Sequence, residues 1–405
     1  MSDRESSISR TSRIEADYLL ETPVDPRAAL EAMAGEQSSG TFVSLPAETP
    51  ELKARAAARV ESFEILEQVG DPSLPGSIHA ENGYRRVLAT LSWPLANLGP
   101  SLPNLVATVA GGLFELKQLS GLRILDLRVP DEFAATYSGP AFGVAGTRRL
   151  SGVEGRPLIG TIIKPNVGLD ASETAELAQS MFEAGIDFIK DDELQADGAA
   201  CPFSERAGSV MKKLNEYSDR FGRKPMYAIN ITGDLDQMRR RHDQVVNLGG
   251  TCVMVSLNSV GLVGMIELRK HCQLPIHAHR NGWGYLSRHP LLGWSFAAWQ
   301  KLWRIVGVDH LHVNGLGNKF CESDESVIES ARTCLSPLFD SKPCTVMPVF
   351  SSAQTARQVP ATFDALGSAD LIFAAGGGIH GHPDGPAAGV LKIRRAWEKA
   401  MKAAN

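Results

Sequence analysis

The stretches PLIGTIIKP (157–165) and GIDFIKDDE (185–193) show the pattern that decides the fold, a short apolar run that ends in charged residues. Between them lies SETAELAQSMFEAG (172–185), in which Leu177 and Met181 fall on one face of a helix. Two apolar runs separated by an amphipathic helix are typical of a βαβ unit in a parallel sheet.

The same rhythm continues to the end of the chain. The apolar runs are PLIGTIIKP (157–165), GIDFIKDDE (185–193), PMYAINITG (225–233), CVMVSLN (252–258), LPIHAHRNG (274–282), DHLHVNGLG (309–317), TVMPVFSS (345–352) and LIFAAGGG (371–378). Eight strand–helix units predict an α/β fold with a closed (β/α)8 TIM barrel over residues 146–405. The alternative is an open, doubly wound sheet, whose reversal of strand order no single sequence reveals.

The N-terminal third of the chain lacks this rhythm. ELKARAAARVESFEIL (51–66) and NLVATVAGGLFELKQL (104–119) are helix-like, whereas RRVLATLSW (85–93) is strand-like. We therefore predict a smaller α+β domain, of ferredoxin-like type, over residues 15–145. Residues 1–14 are rich in serine and arginine and are predicted to be a disordered lead.

The composition excludes several classes of function. A net charge of −5 without a lysine- or arginine-rich block argues against nucleic acid as a partner. The polar N-terminus and the lack of a long apolar run predict a cytoplasmic protein without a membrane partner. The six cysteines show no metal-ligand spacing, so we expect buried, reduced thiols rather than a zinc site or a disulfide framework.

Polar residues end several of the apolar runs, where a (β/α)8 enzyme places its active site. They are Lys164, Lys190, Asp191, Asp192, Glu193, His277, His279, Arg280, His312, Asn314, Ser351 and Ser352. An isolated KDDE run is more often a solvated turn. Its position at a barrel strand end favours a functional interpretation.

The KDDE run carries the ligand types of a magnesium site. Side chains alternate along a strand, so Lys190 and Asp192 point to one side and Glu193 can join them at the strand end. Carboxylate oxygens suit Mg²⁺, which keeps positions open for substrate oxygens. The Lys190 amine either pairs with the carboxylates or is converted by CO₂ to an anionic carbamate, and charge alone leaves both open.

Two other features allow alternative sites. His277 with His279, and His310 with His312, share strand faces and could form a transition-metal site, although a single strand-end histidine is as often structural. The run GGG (376–378) after the eighth strand exposes backbone N–H groups where barrels often hold phosphate, or it simply makes a turn.

Seven motifs carry a resemblance that runs from about Gly35 to Gly385. They are GEQSSGTF (35–42), FELKQLSGLRILDLRVP (114–130), GTIIKP (160–165), DFIKDDE (187–193), IHAHR (276–280), DHLHVNGLGNK (309–319) and GGGIHGHPDG (376–385). In this order they resemble the large subunit of ribulose bisphosphate carboxylase and, more closely, its non-carboxylating relatives, the RuBisCO-like proteins.

The resemblance implies a role for each matching residue. It implies that Lys190 is carbamylated by CO₂ and binds Mg²⁺ with Asp192 and Glu193, and that Lys164 is an acid/base lysine. It further implies catalytic roles for His279 and the mobile-loop residue Lys319, and substrate or phosphate contacts for Asn166, Arg280, His312, Ser351, Gly376 and Gly377. Glu36, Thr41 and Phe42 of a second subunit would complete the site, which implies a homodimer.

Departures from the carboxylase pattern argue against carbon fixation. Asn166 stands where carboxylases have a second lysine and cannot act as a base. Gly112 replaces an asparagine, Phe42 replaces a tryptophan, and SSA (351–353) replaces a Ser-Gly-Gly phosphate loop. The number of phosphates that the substrate carries is therefore open.

The remaining equipment suits enolate chemistry, because a Mg²⁺ ion facing Lys164, His279 and His312 stabilises negative charge next to a carbonyl. Loss of CO₂ from a β-keto acid needs no second base, which agrees with Asn166. The chain resembles the RuBisCO-like decarboxylases and transcarboxylases that act on 3-oxo-isoapionate 4-phosphate. This resemblance implies a Mg²⁺-dependent decarboxylase, transcarboxylase or hydrolase of a branched 3-oxo sugar acid or its phosphate in carbohydrate catabolism.

Two other functions are compatible with the same residues. One is a methionine-salvage enolase or isomerase that acts on 5-methylthio-pentulose phosphates by proton transfer. The other is a binding protein that kept the fold and lost catalysis. The intact set of Lys190, Asp192 and Glu193 disfavours the second, because a non-enzyme is free to lose such residues.

Overall fold

A computed structural model describes residues 12–40 and 45–403. The N-terminal part forms β1 (Arg13–Thr22), α1 (Pro26–Glu36), α2 (Pro50–Ala56), β2 (Arg59–Val69), β3 (Tyr84–Pro94), α3 (Leu102–Ala110), β4 (Gly121–Arg128) and α4 (Glu132–Thr136). The remainder forms α5 (Gly143–Ser151), β5 (Leu158–Ile162), α6 (Ala171–Glu183), β6 (Phe188–Lys190), α7 (Phe203–Phe221), β7 (Met226–Asn230), α8 (Leu235–Asn247), β8 (Cys252–Ser256), α9 (Leu257–His271), β9 (Ile276–His279), α10 (Trp283–Ser287), β10 (Leu292–Trp294), α11 (Phe296–Val306), β11 (His310–His312), α12 (Asp324–Leu335), β12 (Met347–Phe350), α13 (Val359–Leu366), β13 (Ile372–Ala374), α14 (Gly377–His380) and α15 (Pro386–Ala403).

The chain divides into two compact units. The first comprises the described residues up to Tyr137 together with Trp283–Leu302, and the second comprises Ser138–Gly282 and the chain from Trp303 onward. The segment 283–302 lies between two barrel strands in sequence, yet its strand β10 pairs in parallel with β4 of the first unit. The first unit is therefore not a contiguous piece of the chain.

The first unit is built on a five-stranded sheet in the order β10–β4–β1–β3–β2. The central strand β1 runs antiparallel to both β3 and β4, and its alternate residues Ile14, Ala16, Tyr18 and Leu20 are buried. This period of two is typical of a strand with one face on the core.

The helix predicted over 51–66 is only partly correct. The helix α2 ends at Ala56, and from Arg59 the chain is strand β2, which pairs antiparallel with β3 from Arg59 opposite Ser92 to Val69 opposite Tyr84. Pairing with β3 overrides the local helical propensity, which is a weak determinant compared with tertiary context.

The second unit is a closed barrel of eight parallel strands, in the order β5–β6–β7–β8–β9–β11–β12–β13 and back to β5. All eight predicted strands are confirmed, and closure excludes the open doubly wound sheet. Alternate strand residues form the buried apolar cluster, namely Leu158, Ile162, Phe188, Met226, Ala228, Cys252, Met254, Met347, Val349, Ile372 and Ala374. This cluster is the packed interior expected of such a barrel.

Two further expectations can be compared with the described residues. None of their helices combines the length and apolar character needed to cross a membrane. All six cysteines are free thiols, but only five are buried, because Cys321 lies exposed in the loop between β11 and α12.

The buried carboxylate of Asp309 connects several segments at the N-terminal side of the barrel by hydrogen bonds. Asp309 directly precedes β11 and is fully buried. It accepts hydrogen bonds from the backbone N–H groups of Phe142 (2.6 Å), Gly143 (2.9 Å) and Ile276 (2.9 Å), and from Arg269 Nη1 (3.2 Å). The N-terminal face of a barrel serves stability rather than catalysis, so we interpret Asp309 as structural.

Replacement Asp309→Ala should lower the free energy of unfolding by about 3–5 kcal/mol, because it leaves a buried guanidinium without its counter-charge. Chemical denaturation monitored by circular dichroism measures this change. Asp364→Ala on α13 is the matched control, since Asp364 is exposed and its removal should change stability by less than about 0.5 kcal/mol. Equal effects of the two replacements would contradict the structural role of Asp309.

Candidate active site

Lys190 is the last residue of β6 and lies on the same strand face as Phe188, a member of the barrel's apolar cluster. It is only 2% exposed, and its Nζ donates to the carbonyl oxygen of Asp191 (2.9 Å) and lies 3.4 Å from Glu193 Oε2. Burial lowers the pKa of Lys190, although the carboxylates of Glu193 and Asp192 oppose this shift. The amine therefore loses its proton more readily than an exposed lysine does.

Lys164 approaches the same carboxylates from the neighbouring strand. It follows the end of β5, and its Nζ donates to Asp192 Oδ2 (2.8 Å) and to Asn166 Oδ1. Its side chain is 35% exposed, whereas that of Asp192 is 2% exposed. Two lysines and two carboxylates thus meet at the C-terminal ends of β5 and β6.

Glu193 completes this cluster, and its ionisation reflects two opposed effects. Burial disfavours the charged carboxylate, but the positive charge of Lys190 and hydrogen bonds hold the pKa of Glu193 below its usual value. Its Oε2 also lies 3.4 Å from His279 Nε2. Lys190, Asp192 and Glu193 lie close together in the structure, as the sequence predicted.

The Asp191 side chain does not join this cluster. It holds the loop after β6 in place through buried hydrogen bonds. It accepts hydrogen bonds from Tyr227 Oη (2.5 Å), the Asn230 backbone N–H (2.9 Å) and Arg206 Nε (3.1 Å), and all of these side chains are buried. Burial raises the pKa of Tyr227 well above its usual value, so the phenol remains a donor. We assigned no role to Asp191 from sequence, because its partners come from other elements.

Asn230 is a site residue that the sequence analysis missed. It ends β7, and its Nδ2 donates to the backbone oxygens of Asp192 (3.2 Å) and Glu193 (3.3 Å). These bonds fix the backbone that carries both carboxylates. Asn230 lies in the C-terminal half of the predicted strand 225–233. The rule that polar residues near the C-terminal ends of strands belong to the site would therefore have identified it.

His279 and His312 adjoin the cluster with their ring centroids 4.9 Å apart. Burial, reinforced by neighbouring positive charge, lowers the pKa of both rings well below the usual histidine value. Both rings are therefore neutral at pH 7. Nδ1 of His279 is buried and has no hydrogen-bond partner among the described residues.

The inner histidines form hydrogen bonds with one another or with side chains rather than a metal site. His312 bonds Ser351 Oγ through Nδ1 (3.0 Å) and His277 Nε2 through Nε2 (2.8 Å), while His310 Nε2 bonds Thr147 Oγ1 (2.9 Å). At 2.8 Å one of the two facing nitrogens carries a hydrogen and the lone pair of the other accepts it. Neither nitrogen therefore has a lone pair free for a cation. The geometry therefore disfavours the transition-metal alternative.

A second cluster of potential metal ligands lies on the outer helices α8 and α9, formed by His242, Asp243 and His271. Asp243 Oδ1 lies 2.9 Å from His242 Nδ1 and 2.6 Å from His271 Nε2. However, the Gln273 backbone N–H donates to His242 Nε2 (3.0 Å). A neutral imidazole that accepts at Nε2 carries its hydrogen on Nδ1, so His242 donates to Asp243 and is not a ligand.

At the other end of the site, Arg280 follows β9 and pairs with Glu322, which precedes α12. Glu322 also accepts hydrogen bonds from Asn314 Nδ2 (2.6 Å) and Ser326 Oγ (2.9 Å). Burial lowers the pKa of Arg280, and the charge of Glu322 opposes this shift. Sequence reasoning missed Glu322, because nothing in the sequence pairs residue 322 with residue 280.

The other predicted site residues are placed as follows. A Cβ atom built on Gly376 would lie 3.8 Å from Lys164 Cε, so the Gly376 backbone is beside Lys164, and Gly377 begins α14. Lys319 is exposed, with its Nζ 5.3 Å from the Phe320 ring centroid, and the structure does not bring it to the lysine–carboxylate cluster.

The residues expected from a second subunit belong to the N-terminal part of the chain. Glu36 ends α1, and its Oε1 would lie 3.4 Å from a Cβ atom built on Gly112. Thr41 and Phe42 lie outside the described residues.

Comparison with known families accounts for nearly the whole chain. The ribulose bisphosphate carboxylase large chain, N-terminal domain, matches residues 16–133, and the catalytic domain of the same large chain matches residues 143–405.

Individual relatives are similar over almost their full length. The 3-oxo-isoapionate-4-phosphate transcarboxylase/hydrolase of Xanthobacter autotrophicus is 59% identical over 98% of this chain and 95% of its own. The 3-oxo-isoapionate-4-phosphate decarboxylase of Rhizobium rhizogenes is 44% identical over 96% and 93%. The crystal structure of a rubisco-like protein from Burkholderia fungorum is 50% identical, covers 96% of this chain and 95% of its own, and has a TM-score of 0.91. The chain belongs to the ribulose bisphosphate carboxylase large-chain family, and within it to the RuBisCO-like proteins.

Proposed function

We propose that this protein cleaves the carboxyl group from a branched 3-oxo sugar acid phosphate, with 3-oxo-isoapionate 4-phosphate as the candidate substrate. The observation that carries the proposal is the cluster of Lys164, Lys190, Asp192 and Glu193 at the ends of β5 and β6. The names of the Xanthobacter and Rhizobium relatives support this substrate, since both specify it and both concern its carboxyl group.

The residues of the cluster fit a Mg²⁺ ion together with a carbamate on Lys190. Asp192 and Glu193 offer the hard oxygen donors that Mg²⁺ prefers. Reaction of the Lys190 amine with CO₂ would replace a positive charge by a third anionic oxygen donor, and burial of this amine favours the neutral form that reacts. When bound there, Mg²⁺ would supply a Lewis acid that polarises the oxygens of a β-keto acid.

The side chains of the chain then carry the proton and orient the substrate. The bond between the carboxyl carbon and its neighbour breaks, CO₂ leaves, and the electron pair forms an enolate. Lys164 is half-buried at the edge of the cluster and donates the proton that the enolate carbon takes up. Neutral His279 adjoins the cluster and offers a substrate oxygen a hydrogen bond without adding charge. His312 packs beside it, with both ring nitrogens engaged by His277 and Ser351. Asn166 accepts a hydrogen bond from Lys164, and its amide does not compete for this proton.

The phosphate of the substrate is proposed to lie near Gly376 and Gly377. The support is the position of the Gly376 backbone next to Lys164, at the end of the eighth barrel strand, where barrels commonly hold phosphate. We further propose a homodimer in which Glu36, Thr41 and Phe42 of the partner contribute, and Lys319 closes over the substrate. The Rubisco from Pyrococcus horikoshii, which is described as octameric, supports assembly of the chain with copies of itself.

The reaction can be tested with substrate labelled with ¹³C at the carboxyl carbon, after incubation of the protein with Mg²⁺ and bicarbonate. We expect the bond between the labelled carboxyl carbon and its neighbouring carbon to break. The labelled carbon should then appear as CO₂ for a decarboxylase, or in a new carboxylate for a transcarboxylase. Nuclear magnetic resonance follows both. Turnover that isomerises this substrate or a 5-methylthio-pentulose phosphate, with every carbon–carbon bond kept, would overturn the proposal in favour of an isomerase.

Removal of the carbamate-forming amine should abolish the reaction. Lys190→Ala is expected to lower kcat/KM at least about 10³-fold and to remove Mg²⁺ binding measured by calorimetry. Lys212→Ala on α7 is the control, because the Lys212 side chain is 74% exposed. A chelator should inactivate the wild type, and Mg²⁺ with bicarbonate should restore it. Chelator-resistant activity, or full activity of the folded Lys190→Ala variant, would contradict the metal mechanism.

The positioning role of Asn230 is separable from catalysis. Asn230→Ala should weaken Mg²⁺ binding by about 10–100-fold, because residues that orient metal ligands typically have effects of this size. Saturating Mg²⁺ should recover most of kcat. Asn215→Ala is matched chemically, since Asn215 Nδ2 also donates to a backbone oxygen, that of Leu248 (3.0 Å), but away from the site. The same loss of Mg²⁺ affinity in both variants would show that Asn230 has no specific positioning role.

A further inference from the structure

The pair formed by Arg280 and Glu322 lies at the strand ends of the barrel, one residue beyond His279. The two side chains are 6% and 13% exposed, so both charges are largely withdrawn from water. A buried guanidinium at the substrate-facing end of a strand would ordinarily attract an anionic group of a ligand. Here the anion is supplied by the chain itself.

Glu322 is held by donors from three separate elements. Arg280 follows β9, Asn314 follows β11, and Ser326 lies in the first turn of α12. Both carboxylate oxygens are engaged, since Oε2 accepts from Arg280 and Asn314 and Oε1 accepts from Ser326.

The backbone at Glu322 is fixed as well. Its carbonyl oxygen accepts a hydrogen bond from Asn318 Nδ2 (3.2 Å). The next residue, Ser323, is the N-cap of α12 and accepts from the Ser326 backbone N–H. Displacement of the Glu322 carboxylate would therefore break several hydrogen bonds at once, so a ligand anion does not simply exchange with it.

A phosphate brought to Arg280 would meet this fixed carboxylate. The arginine charge is already neutralised, and a second anion in a poorly solvated position would be repelled by Glu322. A hydroxyl or other uncharged polar group meets no such repulsion. The two ends of the site thus differ, because Lys164 and the Gly376 backbone lie at one end and a neutralised arginine lies at the other.

We propose that Glu322 determines substrate specificity by neutralising Arg280, so that the site accepts a sugar acid with one phosphate and discriminates against bisphosphates. This inference rests on the proposed function for the single phosphate near Lys164 and Gly376. It assigns to Arg280 the uncharged polar end of the substrate rather than a distal phosphate.

The test compares ribitol 5-phosphate with ribitol 1,5-bisphosphate, which share one carbon chain, by calorimetry on the Mg²⁺-loaded protein. The wild type should bind the bisphosphate at least about tenfold more weakly than the monophosphate, because Glu322 neutralises Arg280 and repels the second phosphate. Glu322→Gln keeps the side-chain shape and removes the charge, so it should bind the bisphosphate at least about tenfold more tightly than the wild type does, with little change for the monophosphate.

Ser326→Ala is the matched control, because it removes one hydrogen bond to Glu322 and keeps the carboxylate. Its ratio of bisphosphate to monophosphate affinity should equal that of the wild type. The proposal is overturned if the wild type binds the bisphosphate as tightly as the monophosphate or more tightly, a measurement that requires no variant to fold. An unchanged ratio in folded Glu322→Gln, or failure of both ligands to bind the wild type, would also overturn it.

These results are independent of the labelling experiment on the reaction. A protein that releases the labelled carboxyl group but prefers bisphosphates would overturn the role of Glu322 alone. A protein that discriminates against the bisphosphate but leaves the carboxyl group in place would overturn the proposed reaction alone.

Discussion

The charge balance between two lysines and two carboxylates constrains the rest of the active site. Asp192 lies 2.8 Å from the Lys164 amine, and Glu193 lies 3.4 Å from the Lys190 amine, in a region where Lys190 and Asp192 are almost fully buried. An unpaired charge in such surroundings is strongly destabilising. The loop after β6 must therefore deliver both acids to the same place, and the buried bonds of Asp191 keep it there.

Charge is distributed unevenly along the strand ends. At one end each lysine pairs with one carboxylate, whereas at the other end Glu322 accepts hydrogen bonds from further donors besides Arg280. The histidines between them are neutral, because burial lowers the pKa of His279 and His312. The lysine–carboxylate pairs and the Arg280–Glu322 pair are thus each balanced in charge, with neutral histidines between them.

The sequence predicted the barrel well because its strands are buried on both faces and therefore appear as nearly continuous apolar runs. The same reasoning located Lys190, Asp192, Glu193 and Lys164, since the C-terminal ends of parallel strands lie together. It failed where a contact between distant residues decides the outcome. The strand β2 exists because β3 lies beside it, and the partners of Glu322 are set by the path of a loop, which no local pattern encodes.

The excursion of residues 283–302 makes the two units topologically inseparable. The strand β10 covers the outer edge of β4 by parallel pairing, from Leu292 opposite Leu122 to Trp294 opposite Ile124. A fragment that ended before the barrel would expose that edge, with unpaired backbone groups that can recruit strands from other chains. During synthesis the N-terminal sheet can therefore be completed only after five of the eight barrel strands, β5 to β9, have been made.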